Sequence, residues 1–258
     1  MKSSTMENEI ILISGATSGI GQATAEMLAR SGRSLILTGR RNDRLELLKK
    51  HLEQKGALIH TASFDIRNRQ ETEAFVEAIP PAFRNIRVLI NNAGLAAGLS
   101  PVQEGDPDDW DQMIDTNVKG LLYLSRAVIP LMKQVEGAQI VHVSSIAGKE
   151  VYPNGNVYCA SKHAVDALTR SMRIDLLPMG IRVSSVSPGM VETEFSLVRF
   201  KGDADRAASV YKGLMPLLAS DIAETIRYII EAPFRITIAD ILVLPAAQAA
   251  SRDVLRSV

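Results

Sequence analysis

Residues 10–30 read I-I-L-I-S-G-A-T-S-G-I-G-Q-A-T-A-E-M-L-A-R. Ile10 to Ser14 is a short apolar run with β-branched residues, the pattern of a strand buried on both faces. Gly15, Gly19 and Gly21 then punctuate a turn, and residues 22–30 have the composition of a helix. Strand, glycine-rich turn and helix in that order present free backbone N–H groups and the positive end of a helix to a phosphate. The spacing G-x-x-x-G-x-G departs from the commoner G-x-G-x-x-G, so the strand–helix setting carries the reading more than the bare pattern does.

Outward from this unit the same alternation repeats. Strands are expected at 34–38, 57–64, 86–90, 140–143, 181–186 and 236–243, and helices at 42–54, 68–79, 108–134, from about Asn156, and at 221–231. Strands separated by helices imply a parallel, doubly wound α/β sheet with helices on both faces. Asn117 and Gly120 are poor residues for the middle of the long helix, so a kink or a polar contact is expected there. After Pro188-Gly189, residues 194–217 read as an irregular lobe. No shift in composition marks a second domain.

The second strand ends T-G-R-R, at Arg40 and Arg41. A chain holding NAD usually supplies a carboxylate about 20 residues past the glycines. Here no acid is present to repel a 2′-phosphate, and a guanidinium can grip one by a forked contact. The alternative is two solvated arginines opening a helix, although arginine mildly opposes the dipole there. Asp65, ending the third strand, either accepts from an adenine amino group or caps the next turn. Asn91 to Gly94 read N-N-A-G, suited to close backbone approach to a flat ligand or to a plain turn.

The fifth strand delivers Ser144 and Ser145. A Gly/Pro/Asn-rich loop follows, then a helix with Tyr158 and Lys162 at i and i+4 on one face. Ser145 precedes Tyr158 by 13 residues, enough loop to return beside that face. A free tyrosine titrates near ~10, and a cation within ~4–6 Å lowers that by roughly 1–3 units. Lys162 is expected to be that cation, Tyr158 the general acid–base, and Ser145 the hydrogen-bond partner of the same oxygen. Taken alone, Y-x-x-x-K is short, common and equally compatible with an ordinary amphipathic helix.

Across 258 residues, 46% hydrophobic and 22% charged, Lys plus Arg equals Asp plus Glu at 29 each. Such a balance gives no field to gather nucleic acid or an anionic membrane. Cys159 is the only cysteine, which excludes an intrachain disulfide or a multi-cysteine metal site; it reads as a small buried residue or a reactive thiol. The start M-K-S-S-T-M-E-N-E is a polar tail without the apolar stretch of a secretory leader. No run reaches the ~18 apolar residues of a membrane span. A cytoplasmic protein is the expectation.

Together these residues resemble the short-chain dehydrogenase/reductase family over nearly the whole chain. The family's T-G-x-x-x-G-x-G appears with Ser14 for threonine, N-N-A-G stands at Asn91 to Gly94, and Pro188-Gly189 followed by Thr193 matches its nicotinamide-side turn. The resemblance implies a single-domain Rossmann-type sheet of about seven strands, with a substrate lobe at about 190–217. It implies a catalytic set of Asn117, Ser145, Tyr158 and Lys162, in which Lys162 also binds the nicotinamide ribose and Asn117 holds a water leading to bulk; no metal is required. NADP(H) contacts are implied at Gly15, Thr17, Ser18, Gly19, Ile20 and Gly21, at Arg40, Arg41, Asp65 and Ile66, at Asn92, Ala93 and Gly94, at Tyr158 and Lys162, and at Pro188, Gly189, Val191 and Thr193.

A narrower likeness lies in P-G-M-V-E-T-E-F-S-L-V-R-F-K-G-D from Pro188, D-I-A-E from Asp221 and L-V-L-P-A-A-Q-A from Leu242. These are similar to NADP-dependent 3-hydroxy acid dehydrogenases, homotetramers that oxidise serine, allo-threonine or 3-hydroxyisobutyrate, or reduce malonic semialdehyde. A substrate carboxylate then needs a cation: Arg199, Lys201 and Lys149 are candidates, with solvated side chains as the alternative. Rival readings are a family reductase for a 3-oxoacyl, sugar or steroid carbonyl, a non-catalytic NADP(H) sensor, and a structural subunit.

Overall fold

A computed structural model describes residues 9–29 and 33–257. The expected polar tail through residue 8, and Arg30 at the end of the first expected helix, lie outside the described residues. Along the chain come β1 (Ile10–Ser14), α1 (Gly19–Ala29), β2 (Ser34–Gly39), α2 (Asn42–Glu53), β3 (Ile59–Ser63), α3 (Arg69–Glu77) and β4 (Ile86–Asn91). There follow α4 (Pro107–Ile114), α5 (Leu121–Met132), β5 (Gln139–Val143), α6 (Asn156–Asp175) and β6 (Arg182–Pro188). The lobe holds β7 (Val191–Glu192), α7 (Phe195–Arg199), α8 (Ala204–Ser209) and β8 (Leu217–Leu218), before α9 (Ala219–Glu231) and β9 (Asp240–Val243). Among the described residues no helix is long and apolar enough to cross a membrane.

Seven strands form one wholly parallel sheet in the order β3-β2-β1-β4-β5-β6-β9. Successive side chains of a strand point to opposite faces, and the apolar runs feed two cores accordingly. Ile11, Ile13, Leu35 and Leu37 pack with Leu28 of α1, Leu45 and Leu48 of α2, and Ile226 of α9. Leu12, Ile36, Leu89 and Ile140 pack on the other side with Phe75 of α3, Val128 of α5 and Met172 of α6. Each such buried side chain is worth about 1.5–3 kcal/mol of transfer free energy.

The helix expected at 108–134 is divided. Between α4 and α5 the backbone widens into a π-helix over Asp115–Gly120, a local expansion frequent at functional sites. It contains Asn117 and Gly120, the two residues unsuited to a regular helix. The lobe is also more ordered than its composition implies: α7, α8 and the parallel pair β7–β8 fill it. The last strand is shorter than expected, beginning at Asp240.

Candidate active site

Strand order reverses at β1, which has β2 on one side and β4 on the other. Open α/β sheets bind ligands in the crevice beyond the strand ends at such a point. Two latches fix it. Ser14 Oγ accepts from the backbone N–H groups of Asn92 and Ala93, each at 3.1 Å. The Asn92 amide donates back to the carbonyls of Ser14 and Gly15 at 2.9 and 3.1 Å. Gly15, at φ +68°, lies so close to this stretch that a Cβ would come within 2.8 Å of Ala93 Cα. N-N-A-G is therefore held against the glycine turn by the side chains of both.

The crevice opens into a cavity of about 840 Å³, the size range of small-molecule and cofactor sites. Gly15, Thr17, Ser18, Gly19 and Ile20 line it from the turn, Arg40, Arg41, Asp65 and Ile66 from the ends of β2 and β3, and Asn92, Ala93 and Gly94 from the end of β4. Pro188, Gly189, Val191 and Thr193 line the opposite bank. Gly21 is the exception among the implied contacts: it packs inward, where a Cβ would lie 2.3 Å from the Gly15 carbonyl oxygen. The leading N–H groups of α1 have no intrahelical partner, and they face this cavity at Gly19 and Ile20. These features fit a dinucleotide with its phosphates on the turn.

At the adenosine end the structure refines the sequence reading. Asp65 forks onto Arg67, with Nη2 to Oδ2 at 2.6 Å, and accepts from its backbone N–H at 3.0 Å, so it caps the turn while still bordering the cavity. Arg41 is not free. Its Nη2 donates to Ser18 Oγ at 2.8 Å and Thr17 Oγ1 at 3.0 Å, and its Nη1 donates to Glu194 at 2.9 Å. Arg44 donates to the same carboxylate at 2.7 Å. Exposed Arg40 lines the cavity beside Arg41, so guanidinium groups border this end, suited to a phosphate monoester carrying roughly −1.5 to −2.

At the other end Ser145, Tyr158 and Lys162 border the same cavity, brought together by the strand end and the first turns of α6. Tyr158 is 8% exposed and Lys162 6%. The expectation that Lys162 lowers the tyrosine requires correction. Burial holds the Tyr158 phenol above its ordinary value, with Tyr152 adding to the rise, and it is a hydrogen bond from Ser145 and the charge of Arg199 that oppose it. Lys162 is itself pushed down to about 8 by burial, and its Nζ donates to the Val143 carbonyl at 3.0 Å.

Asn117 does not reach the cavity wall. Its amide nitrogen donates to the Leu95 carbonyl at 2.8 Å and Ser161 Oγ at 3.0 Å, and its Oδ1 accepts from the Leu95 N–H at 2.9 Å. It clamps the chain just past N-N-A-G. Gly94 lies close against both groups: a Cβ there would come 3.2 Å from Asn117 Oδ1 and 3.4 Å from Lys162 Nζ.

Of the cations considered for a substrate carboxylate, one is in place. Arg199 lines the cavity, with its guanidinium 5.7 Å from the Tyr158 ring centroid and 5.5 Å from that of Tyr152. Its Nε donates to the Gly98 carbonyl at 3.2 Å and its Nη1 to Tyr152 Oη at 3.1 Å, while its buried Nη2 has no partner. Lys149 does not reach the cavity; it pairs with Asp166 and, at 2.9 Å, with Asp240. Lys201 pairs with Asp106 and Asp109 at 3.2 and 3.0 Å. Tyr152, Phe195 and Glu194 also border the site and were not anticipated. For Tyr152 the signal was the Pro153-Asn154-Gly155 turn, since a Cβ on Gly155 would strike its ring at 2.2 Å.

A sequence model of the short chain dehydrogenase family matches residues 9–203. Sulfoacetaldehyde reductase 2 of Chromohalobacter salexigens is 44% identical over 94% of this chain and 96% of its own length. An NADP-dependent 3-hydroxy acid dehydrogenase of Salmonella typhi is 40% identical over 93% and 96%. A solved structure, the closed form of serine dehydrogenase complexed with NADP+, superposes with a TM-score of 0.90 at 37% identity, covering 96% of this chain and all of that one. The chain belongs to the short-chain dehydrogenase/reductase family of oxidoreductases.

Proposed function

We propose that this enzyme is NADP(H)-dependent and transfers a hydride reversibly between cofactor and the carbinol or carbonyl carbon of a small 3-hydroxy acid such as serine, allo-threonine or 3-hydroxyisobutyrate. The observation that carries the substrate class is the Arg199 guanidinium, which lines the cavity 5.7 Å from the Tyr158 ring centroid. A carboxylate on a substrate reaching Tyr158 comes beside this positive charge, and charge-assisted contacts of guanidinium with carboxylate are the strong ones. The guanidinium groups of Arg40 and Arg41 at the cavity edge support a 2′-phosphate. Relatives named for NADP and for serine or 3-hydroxy acids support the same reading.

When bound, the nicotinamide supplies the hydride donor or acceptor; the rest falls to the chain. In reduction Tyr158, which retains its proton at neutral pH, donates it to the carbonyl oxygen while Ser145 bonds the same oxygen. In oxidation Tyr158 must first lose that proton, so oxidation gains as pH rises. Lys162, which lines the cavity, would hold the ribose. Asn117 acts by fixing Leu95. Residues 190–217 serve as the substrate lobe of a single catalytic unit. Assembly into a homotetramer rests on the likeness to the 3-hydroxy acid dehydrogenases. A cytoplasmic setting suits a reduced cofactor and the lone buried thiol of Cys159.

A sulfonated aldehyde is a second reading, supported by the sulfoacetaldehyde reductases among the relatives; it uses the same Arg199 donor. Steady-state assays of Arg199→Met with serine, 3-hydroxyisobutyrate, isethionate and a neutral alcohol of similar size test both. KM for the acids is expected to rise about 10–100-fold, with the neutral alcohol within about threefold. Equal losses on all of them defeat the assignment.

A further inference from the structure

Glu194 belongs to the lobe, yet its carboxylate reaches the opposite bank of the groove. There it accepts from Arg41 Nη1 at 2.9 Å and from Arg44 Nη1 at 2.7 and 2.9 Å. Both arginines stand at the start of α2. Glu194 itself directly precedes α7, whose Phe195 packs on the Tyr158 ring at 5.6 Å and whose Arg199 lies over that ring. Thr193, its other neighbour, rests against Gly19, where a Cβ would come 3.3 Å from Thr193 Cβ. The lobe thus crosses over the glycine turn and is fastened on the far side.

Arg41 is the joint in this fastening. Of its five N–H donors, those on Nε and Nη2 go to Thr17 and Ser18 of the turn and one on Nη1 goes to Glu194. One Nη1 hydrogen remains. A phosphate taking it fixes the guanidinium plane and so reduces the entropy that Glu194 must overcome to pair. The two arginines hold the Glu194 carboxyl below its usual range, so it is charged at neutral pH. Arg41, Arg44 and Glu194 are each about 40% exposed or slightly less, which keeps the pairs weak and lets the lobe open for ligand entry.

We propose that Glu194 is a positioning residue: its clasp on Arg41 and Arg44 holds α7 closed over Tyr158, and Arg41 makes that closure responsive to the 2′-phosphate of the cofactor. The proposal rests on the NADP(H) reading above and adds a link between the two ends of the groove.

Hydrogen exchange of the α7 amides tests it without any substrate. Glu194→Gln is expected to speed their exchange about tenfold in the protein alone, and Arg44→Met to do the same, with the double variant no faster than either. In the unsubstituted enzyme saturating NADPH should slow α7 exchange more than saturating NADH, and in Glu194→Gln the two should act equally. With whichever substrate the enzyme turns over, Glu194→Gln should raise KM about five- to tenfold and leave kcat within about threefold, with Glu194→Asp recovering part of the loss. Exchange unmoved by Glu194→Gln removes the clasp. Equal protection by NADPH and NADH, or faster α7 exchange with NADPH, overturns the link to the phosphate. A wrong substrate class changes none of the exchange results.

Discussion

Replacing Lys162 with Met should stabilise this fold while destroying its chemistry. The ammonium is buried, and burial lowers it from the ordinary 10.5 to about 8. At 1.36 kcal/mol per unit this is about 3 kcal/mol held against the folded state whenever the group is charged in both states. Because the folded pKa lies below the unfolded one, the penalty is complete below pH 8 and is relieved as pH rises toward 10.5, so unsubstituted protein should gain stability across that window. Methionine matches the length of the stem without a charge. It forfeits the Nζ hydrogen bond to the Val143 carbonyl, about 1–2 kcal/mol. The net is a gain of about 1–2 kcal/mol at pH 7, or ~2–8 °C in Tm for a chain of this size, shrinking to nothing or reversing above pH 10. Urea unfolding of the protein without added nucleotide, at pH 7 and pH 10, measures it. A variant less stable than its parent at pH 7 would refute the reasoning, since the ammonium would then be a net stabiliser where it sits.

Tyr158→Phe should lower kcat by about 10²–10⁴, with NADPH binding followed by fluorescence changed less than threefold; a variant keeping a tenth of the parent rate would remove Tyr158 from proton transfer. His142, wholly buried on β5 with Nδ1 bonded to Thr169 Oγ1 at 2.9 Å, is pushed down to about 3 by burial and by Lys162 and Arg173. Its contribution to stability is complete above its ordinary 6.5 and is lost as pH falls toward 3, about 2 kcal/mol between pH 7.5 and 5. His142→Leu should flatten that acid limb in denaturant titrations, and an unchanged slope would assign the acid sensitivity elsewhere.

How far the chain could be read in advance differs from residue to residue. Ile10–Ser14, the glycine turn and α1 were legible because each depends on neighbours within a few positions: apolar runs, conformational freedom at Gly15, helical composition. Tyr158 and Lys162 were legible for the same reason, four residues apart on one helix. Asn117 was recognised as irregular, but not the π-helix that turns its amide onto Leu95. Lys149 and Arg199 looked alike as cations near the site. Asp166 and Asp240, 17 and 91 positions away, take the first, while Gly98 and Tyr152 aim the second into the cavity.

The order of strand, turn and helix, the parallel sheet and the residue types at the reacting end were determined by sequence alone, since hydrophobic periodicity and backbone freedom are local properties. The protonation of Tyr158 and Lys162, the pairing of Arg41 with Glu194 across 153 positions, and the placing of Arg199 rather than Lys149 at the cavity were decided only by the tertiary structure. Desolvation and Coulomb attraction act through space, and folding alone sets which groups lie within their reach.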